Sequence, residues 1–365
     1  MLNDFPPKVG GIQSYVWELV RRLPPDQTVV LTTPHPAANG FDAEQPFRVV
    51  RSKTKVLWPT ARQARQINQL AAEMDATAIV LDPPMPLGLL HRRLTRPYAV
   101  VLHGGVVSQA RLPLLRSRLR RVLAGAVQVV TAGQFAADEA RRAAGPSLPP
   151  VTVIPPGVDS ARFHPLDDDE RAKARGQFGL PPDARIVGSI SRLVPRKGMD
   201  VLIEAAARLA PEHPDLVVAI GGAGRDRARL ERLVRRTGAP VRLVGRVEDD
   251  QLAAFYGCLD VFAMLCRNRW LGLEQEGFGI VFMEAAACGV PQVAGGSGGA
   301  ADAVDDGVTG VVVRQPKDVT ETTAAIAGLL DHGARRAAMG AAARARAVEH
   351  FDYDRLAARL HEVLP

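Results

Sequence analysis

Arg185-Ile186-Val187-Gly188-Ser189-Ile190-Ser191-Arg192-Leu193-Val194-Pro195-Arg196-Lys197-Gly198 is a short apolar run that ends in a basic turn, and Gly198 then opens a helical pattern. A buried strand, a turn and a helix in that order form the building block of a parallel α/β sheet. The alternation continues downstream, with strands predicted at Leu216–Gly221, Val241–Val244, Val261–Met264, Pro291–Ala294 and Gly310–Val313, each followed by a helical stretch. It also runs upstream, with strands at Thr28–Thr32, Phe47–Val50, Ala78–Leu81, Tyr98–Leu102, Gln128–Thr131 and Val151–Ile154. Between the two series lies Ile154-Pro155-Pro156-Gly157-Val158-Asp159, running on to His164-Pro165, which reads as a linker. The fold class is therefore α/β, with two doubly wound parallel-sheet domains at 1–158 and 159–345, and a C-terminal helix in 346–365 expected to pack back towards the first. In such sheets ligands bind beyond the carboxyl ends of the strands, so strand-to-helix turns facing an inter-domain cleft are the expected site.

The chain has 365 residues, of which 47% are hydrophobic and 23% charged, and it exceeds the size at which one core divides. Its three cysteines, Cys258, Cys266 and Cys288, have no metal-ligand spacing and an odd count, which argues against a disulfide framework and fits a reducing, cytoplasmic compartment. No uncharged apolar run is long enough to span a bilayer, and the opening residues lack a signal-peptide pattern. A soluble protein, or one peripheral at the inner face of a membrane, is expected.

The net charge of +7 is unevenly placed: residues 1–158 carry 19 Lys and Arg against 10 Asp and Glu, leaving 27 against 29 for the remainder. Such an excess suits an acidic partner, and scattered solvated arginines produce the same balance. The densest part is 111–123, where Arg111, Arg116, Arg118, Arg120 and Arg121 accompany an apolar stripe of Leu112, Leu115, Leu119 and Val122. That combination suits an anionic leaflet or a lipid-phosphate acceptor, with a plain solvated helix face as the alternative. Nucleic acid is disfavoured because the run has no interleaved aromatics and no reader motif appears. The acidic run Asp167-Asp168-Asp169-Glu170 reads as a solvated helix start, and no metal is expected.

Three stretches carry chemistry. Gly10-Gly11 opens a helix in which Ile12, Tyr15, Val16, Leu19, Val20 and Leu23 share a face, and a glycine pair there lets backbone N–H groups approach a phosphate. Arg192 and Lys197, at a strand end, can hold a pyrophosphate whose charge grows as a bond to it breaks. Glu276-Gly277-Phe278-Gly279-Ile280-Val281-Phe282-Met283-Glu284 sets two carboxylates around a glycine-bracketed helix start. Glu276 can accept from sugar hydroxyls, and Glu284, about two helical turns on at a similar bearing, can take both hydroxyls of a ribose. Backbone N–H groups from Gly277 to Ile280 can contact sugar or phosphate. Glu284 amid Val281, Phe282, Met283 and Ala285 to Ala287 would otherwise be costly to bury.

The Glu-x7-Glu stretch, the Arg-x4-Lys turn and the Gly-Gly helix resemble the retaining family-4 glycosyltransferases of GT-B fold, over almost the whole chain. More narrowly, Asn3-Asp4-Phe5-Pro6-Pro7-Lys8-Val9-Gly10-Gly11-Ile12-Gln13-Ser14-Tyr15, Ser191 to Gly198, and Arg267-Asn268-Arg269 ahead of Gly272 to Glu276 are similar to bacterial phosphatidylinositol mannosyltransferases, above all those that add the second mannose. The resemblance implies a GDP-mannose donor with no required cofactor, and a phosphatidylinositol mannoside acceptor, hence a place in phospholipid biosynthesis. It also implies that Arg192 and Lys197 hold the donor diphosphate, Glu284 the ribose and Glu276 the transferred sugar, with Gly245-Arg246-Val247 beside the base. His103 matches the family's active-site histidine, in a turn that here reads His103-Gly104-Gly105-Val106, and Gln13 falls on the acceptor side with Arg116, Arg118, Arg120 and Arg121. Members of that family usually begin with a strand before this turn, whereas here Asn3-Asp4-Phe5 follows directly on Met1-Leu2, so either the start is misassigned or the first sheet lacks its central first strand.

The mechanism expected is retention by front-face attack, the departing phosphate oxygen helping to deprotonate the acceptor hydroxyl; a phosphate leaving group needs no general acid of the glycosidase kind. Other readings are a transferase using UDP-glucose or UDP-N-acetylglucosamine with a soluble acceptor, a sugar-nucleotide epimerase, and a silent nucleotide-sugar-binding protein. Oligomeric state leaves no mark in the sequence.

Overall fold

The structure, a computed structural model, describes residues 1–104, 112–270 and 274–364. Gly105, Val106, Arg111, Gly272 and Leu273 therefore lie outside the described residues. The chain divides into two compact units, Met1–Gly157 with Tyr353–Pro365, and Val158–Asp352.

The second unit is a six-stranded parallel sheet of order β12-β11-β10-β7-β8-β9, made of β7 (Arg185–Ile190), β8 (Leu216–Gly221), β9 (Val241–Gly245), β10 (Val261–Met264), β11 (Gln292–Gly295) and β12 (Gly310–Val313). Alternate residues serve opposite faces. Ile186, Ile190, Phe262 and Met264 join the core under the helices Ile280–Ala287 and Gly333–His350. Val187, Val261, Ala263 and Leu265 join the core under Met199–Leu209 and Val319–Leu330. Both faces are covered, so the strands read as continuous apolar runs rather than alternating ones. The order reverses between β7 and β10, which neighbour each other although β8 and β9 separate them in the chain. In open parallel sheets the carboxyl ends of the strands at such a switch point are where ligands bind.

The first unit has β1 (Val29–Thr32) beside β2 (Arg48–Arg51), and β3 (Ile79–Leu81), β4 (Tyr98–Leu102), β5 (Gln128–Thr131) and β6 (Val151–Val153) in a second parallel ladder. Between β1 and β3 lie only Met1 and Leu2: Leu2 N–H donates to Leu31 O at 3.1 Å, and Asp82 N–H to Met1 O at 2.9 Å. The Met1 amino group also donates to Val80 O at 2.8 Å, and these bonds link the two ladders.

Gly333–His350 is one continuous helix whose Met339, Ala343 and Ala347 are buried in the second unit's cores. The boundary near the C-terminus consequently falls after Asp352 and not after residue 345. The last helix, Tyr353–Val363, packs on Gly11–Val20 in the first unit, with the Arg22 guanidinium paired to Asp354 and 5.5 Å from the Tyr353 ring centre. The acidic run Asp167–Glu170 forms a capping box at the start of Asp168–Gln177, Asp167 accepting from Glu170 N–H and Glu170 from Asp167 N–H.

The turn after β7 approaches the one after β10 closely enough to require glycine. Gly198 has φ 71°, and a Cβ there would sit 2.1 Å from Leu265 O. Gly238, also left-handed at φ 64°, has open space around it. Gly238→Ala should therefore cost about 1–2 kcal/mol of backbone strain alone, while Gly198→Ala should cost several times more, read as denaturant midpoints. Equal losses would mean that the two turns are not in tight contact.

Candidate active site

The basic turn after β7 and the segment before Ile280–Ala287 meet at the switch point. Pro195–Lys197 forms a single 3-10 turn that sends Lys197 inward, where it is buried, and Arg196 alongside it. Glu276 Oε2 accepts from Lys197 Nζ at 2.7 Å and from an Arg196 guanidinium nitrogen, and Cys266 Sγ donates to it at 3.3 Å. Burial alone would raise the Glu276 carboxyl, but the Lys197 ammonium and the Arg196 guanidinium outweigh it and hold the group at about 2. Burial also pushes the Cys266 thiol well up, so it is an inert donor here.

This cluster ties together two groups that the sequence assigned to different parts of the donor. Lys197, read as a diphosphate ligand, is bonded to Glu276, read as the sugar ligand. The second cation on Glu276 is Arg196, which the sequence reading passed over; Arg192, ahead of the 3-10 turn, is exposed. A basic Arg-Lys pair next to a predicted strand end was the available signal, and only the turn geometry decides which arginine points in. Glu276 and Glu284 also do not share a helical bearing, because the helix begins at Ile280 and Glu276 lies in the non-helical stretch before it. Phe278 is buried against Phe351, its ring centre 5.9 Å away, so only its backbone can serve a ligand.

The surrounding turns fix the cluster. Arg267 N–H donates to Arg196 O at 2.9 Å, and the Arg267 guanidinium pairs with Asp200 at 2.8 Å. Ser297 Oγ donates to Asn268 Oδ1 at 2.6 Å, and Gly299 N–H donates to Glu276 O at 3.0 Å. Gly279, with φ 92°, turns the chain into Ile280–Ala287, and its carbonyl accepts from Phe282 N–H at 3.0 Å in the first helical turn. In that helix Glu284 Oε2 accepts from Tyr256 Oη at 2.6 Å. Burial lifts Glu284 to about 7, against the lowering effects of the Tyr256 hydrogen bond and of Arg162. Gly245 ends β9 with φ 81°, Arg246 is exposed and pairs with Glu248 at 3.0 Å, and Val247 is half-buried beside Gly221.

In the first unit His103 follows β4 and is buried, its Nε2 2.7 Å from Asp82 Oδ1 at the end of the neighbouring β3. Tyr15 packs edge-on to the imidazole at 5.6 Å and donates to Ile154 O at 2.6 Å. Gln13 folds over Gly10, where a Cβ would lie 2.4 Å from Gln13 Oε1, and Gly11 is exposed. Asp82 is a further residue that sequence reasoning missed; its one mark was a carboxylate at the end of a predicted strand.

The helix Pro113–Ala124 exposes Arg116, Arg118, Arg120 and Arg121. Of its expected apolar stripe, Leu119 and Val122 are buried in the first unit's core, because a helix on a parallel sheet must cover it, while Leu115 is half-buried and Leu112 exposed. The exposed apolar side chains are Leu112 and Leu114 at its start, at 48% and 81%. Among the described residues no helix is long and apolar enough to cross a membrane, and no cluster of potential metal ligands occurs.

Cations and carboxylates thus gather at the ends of the strands beside a switch point, where α/β enzymes bind their ligands, and comparison with known proteins identifies the class. Residues 9–162 match the model of Glycosyltransferase Family 4, and residues 170–346 that of glycosyl transferases group 1. The chain is 39% identical, over 99% of its length and 96% of the relative's, to a GDP-mannose-dependent alpha-(1-6)-phosphatidylinositol monomannoside mannosyltransferase of Mycolicibacterium smegmatis. It is 34% identical, over the same shares, to the GDP-mannose-dependent enzyme of Corynebacterium glutamicum named for a monoacylated form of that acceptor. Among solved structures, the HepE protein of Anabaena with UDP superposes with a TM-score of 0.83 at 23% identity, covering 99% of both chains, which establishes the GT-B fold. The chain belongs to the family-4 glycosyltransferases and is a glycosyltransferase.

Glu276 contributes to stability only while ionised. Its folded-state pKa of about 2 lies below the ordinary carboxyl value of 4.5, so the contribution is complete above about pH 4.5 and is lost as pH falls towards 2, roughly 3 kcal/mol in all. The stability gap between wild type and Glu276→Gln should narrow between pH 5 and 3 in urea titrations. A constant gap would remove the Lys197–Glu276–Arg196 ion cluster as its origin.

Proposed function

We propose that the chain transfers mannose from GDP-mannose to a phosphatidylinositol mannoside, with retention of configuration, at an anionic membrane surface. The observation that carries this reading is similarity over nearly the full length of both chains to relatives whose names state that donor and acceptor. In the proposed reaction the bond from the anomeric carbon to the donor's β-phosphate oxygen breaks, its electron pair leaving with the phosphate. The acceptor hydroxyl oxygen attacks the same face and passes its proton to the departing phosphate oxygen. Charge grows on that phosphate, and the fixed cations Arg196 and Lys197, with Arg192 at the turn's start, are the groups suited to stabilise it. Glu276 takes sugar hydroxyls, Glu284 the ribose, and the backbone of 277–280 the sugar or phosphates. Arg246 and Val247 flank the base, Gly10, Gly11 and Gln13 the donor's phosphate and acceptor side, and His103 the acceptor.

Lys197→Ala should lower turnover roughly 10²–10³-fold, the scale of losing a preorganised charge-stabilising group, with Arg196→Ala falling further than Arg192→Ala. Transfer of radiolabelled mannose to phosphatidylinositol monomannoside measures this. Thermal stabilisation by UDP-glucose or UDP-N-acetylglucosamine but not by GDP-mannose would transfer the donor assignment to those sugars.

Membrane docking is assigned to the exposed arginines of Pro113–Ala124 and to Leu112 and Leu114. Each basic side chain near an anionic leaflet contributes about 1 kcal/mol, within a Debye length of roughly 8 Å at physiological salt. Wild type should co-sediment with phosphatidylglycerol vesicles and be released as salt rises. The combined change of Arg116, Arg118, Arg120 and Arg121 to Gln should abolish co-sedimentation while leaving GDP-mannose binding intact. Equal sedimentation of the two proteins would move the docking surface elsewhere.

A further inference from the structure

Tyr256 is a residue without a role in the reaction as described so far. It sits in the short helix Leu252–Gly257, fully buried, its ring edge-on to Phe163 at 6.0 Å and to Phe262 at 5.6 Å. Those contacts leave the ring no alternative rotamer in a packed core, and they aim its hydroxyl at Glu284 Oε2, 2.6 Å away. An apolar pocket does not need a tyrosine, since phenylalanine fills the same space without a polar atom to satisfy. Holding the carboxylate is what the hydroxyl adds.

We propose that Tyr256 is a positioning residue for the sugar-nucleotide donor: it fixes one oxygen of Glu284, leaves the other for the ribose, and thereby links donor binding to release of the Glu284 proton. The inference rests on the assignment of Glu284 to the ribose. With Tyr256 donating to one oxygen and a ribose hydroxyl donating to the other, both oxygens must accept, which the ionised carboxylate does and a carboxyl with a proton on one oxygen does not. The groups facing Glu284 come from four places. Tyr256 donates from its helix, Arg162 approaches from the segment after the linker, Asp249 lies in the turn before Tyr256, and Cys288 ends Glu284's own helix. Arg162 is pinned, stacked 4.8 Å from the Phe163 ring centre and paired with Asp249 at 3.0 Å, so its charge is partly spent. Burial therefore prevails and Glu284 titrates at about 7.

The sign follows. Below about pH 7 the free enzyme carries a protonated Glu284 that must lose its proton to take the ribose, so donor affinity should rise with pH, approaching tenfold per unit, and level off above 7. Removing the hydroxyl removes a bond to the ionised form, so Tyr256→Phe should shift the levelling point upward. Its deficit should be roughly tenfold near pH 7, the scale of a hydrogen bond to a charged group, and should shrink towards pH 8.5.

Calorimetry with GDP-mannose and no acceptor, from pH 6 to 8.5, tests this, because the donor's esterified pyrophosphate does not titrate there. Two buffers of different ionisation heat report the released proton directly. A wild-type profile that rises and levels, a buffer-dependent heat and an upward shift in Tyr256→Phe support the proposal. A uniform loss in Tyr256→Phe at every pH, or an unchanged profile, overturns the role of Tyr256. A flat wild-type profile with no proton release overturns the linkage while leaving the ribose assignment intact, provided Glu284→Gln still binds weakly. Wild-type affinity in Glu284→Gln overturns the ribose assignment itself, and the proposal with it.

Discussion

Glu276 gathers two cations onto one carboxylate oxygen at the point where the second unit's strand order reverses. A buried pair of this kind adds little net stability, since desolvation offsets most of the attraction, but removing one partner strands an unpaired buried charge at a cost of about 3–5 kcal/mol. Its consequence is geometric. Lys197 and Arg196 come from the turn after β7, Cys266 follows β10, and the Glu276 backbone is held by Gly299 after β11. Four elements separated by up to a hundred residues in the chain are thereby fixed around one crevice, and a ligand that meets them finds their positions already set.

The close approach is possible because the turns lack side chains where they touch. A Cβ at Gly198 would strike Leu265 O, and one at Gly298 would lie 2.2 Å from Glu276 O. The glycines of this region are thus packing residues for the ion cluster, and the helix Ile280–Ala287, with three consecutive alanines, lies close under the same sheet for the same reason.

Strand positions were legible because both faces of each sheet are covered, which makes a strand an apolar run with a turn at its end; Arg185–Ile190 and Leu216–Gly221 coincide with β7 and β8. The presence of carboxylates and cations at those ends was legible too. What the sequence could not carry was direction. Arg192 and Arg196 both look able to reach inward, and the 3-10 turn at Pro195–Lys197 is what selects Arg196. The stripe along 112–122 was open to more than one reading for a related reason, since an amphipathic period states that one helix face is apolar but not whether a sheet or a bilayer covers it. Asp82 and Tyr256 escaped notice because their partners, His103 and Glu284, are 21 and 28 residues away.

The two carboxylates of the Glu-x7-Glu stretch show how one local sequence pattern yields opposite charge states. Both are deeply placed, so burial pushes both upward. Glu276 meets an ammonium and a guanidinium at bonding distance and stays ionised, whereas Glu284 meets a neutral hydroxyl and a more distant arginine already engaged by Asp249. A group held permanently charged beside cations is suited to fixing them where charge develops. A group near neutrality can change its proton when a hydroxyl-bearing ligand arrives. His103 is set apart from both carboxylates by its partner: its Nε2 lies 2.7 Å from Asp82 Oδ1 at the end of the neighbouring β3, so the ring is held between that carboxylate and the Tyr15 ring.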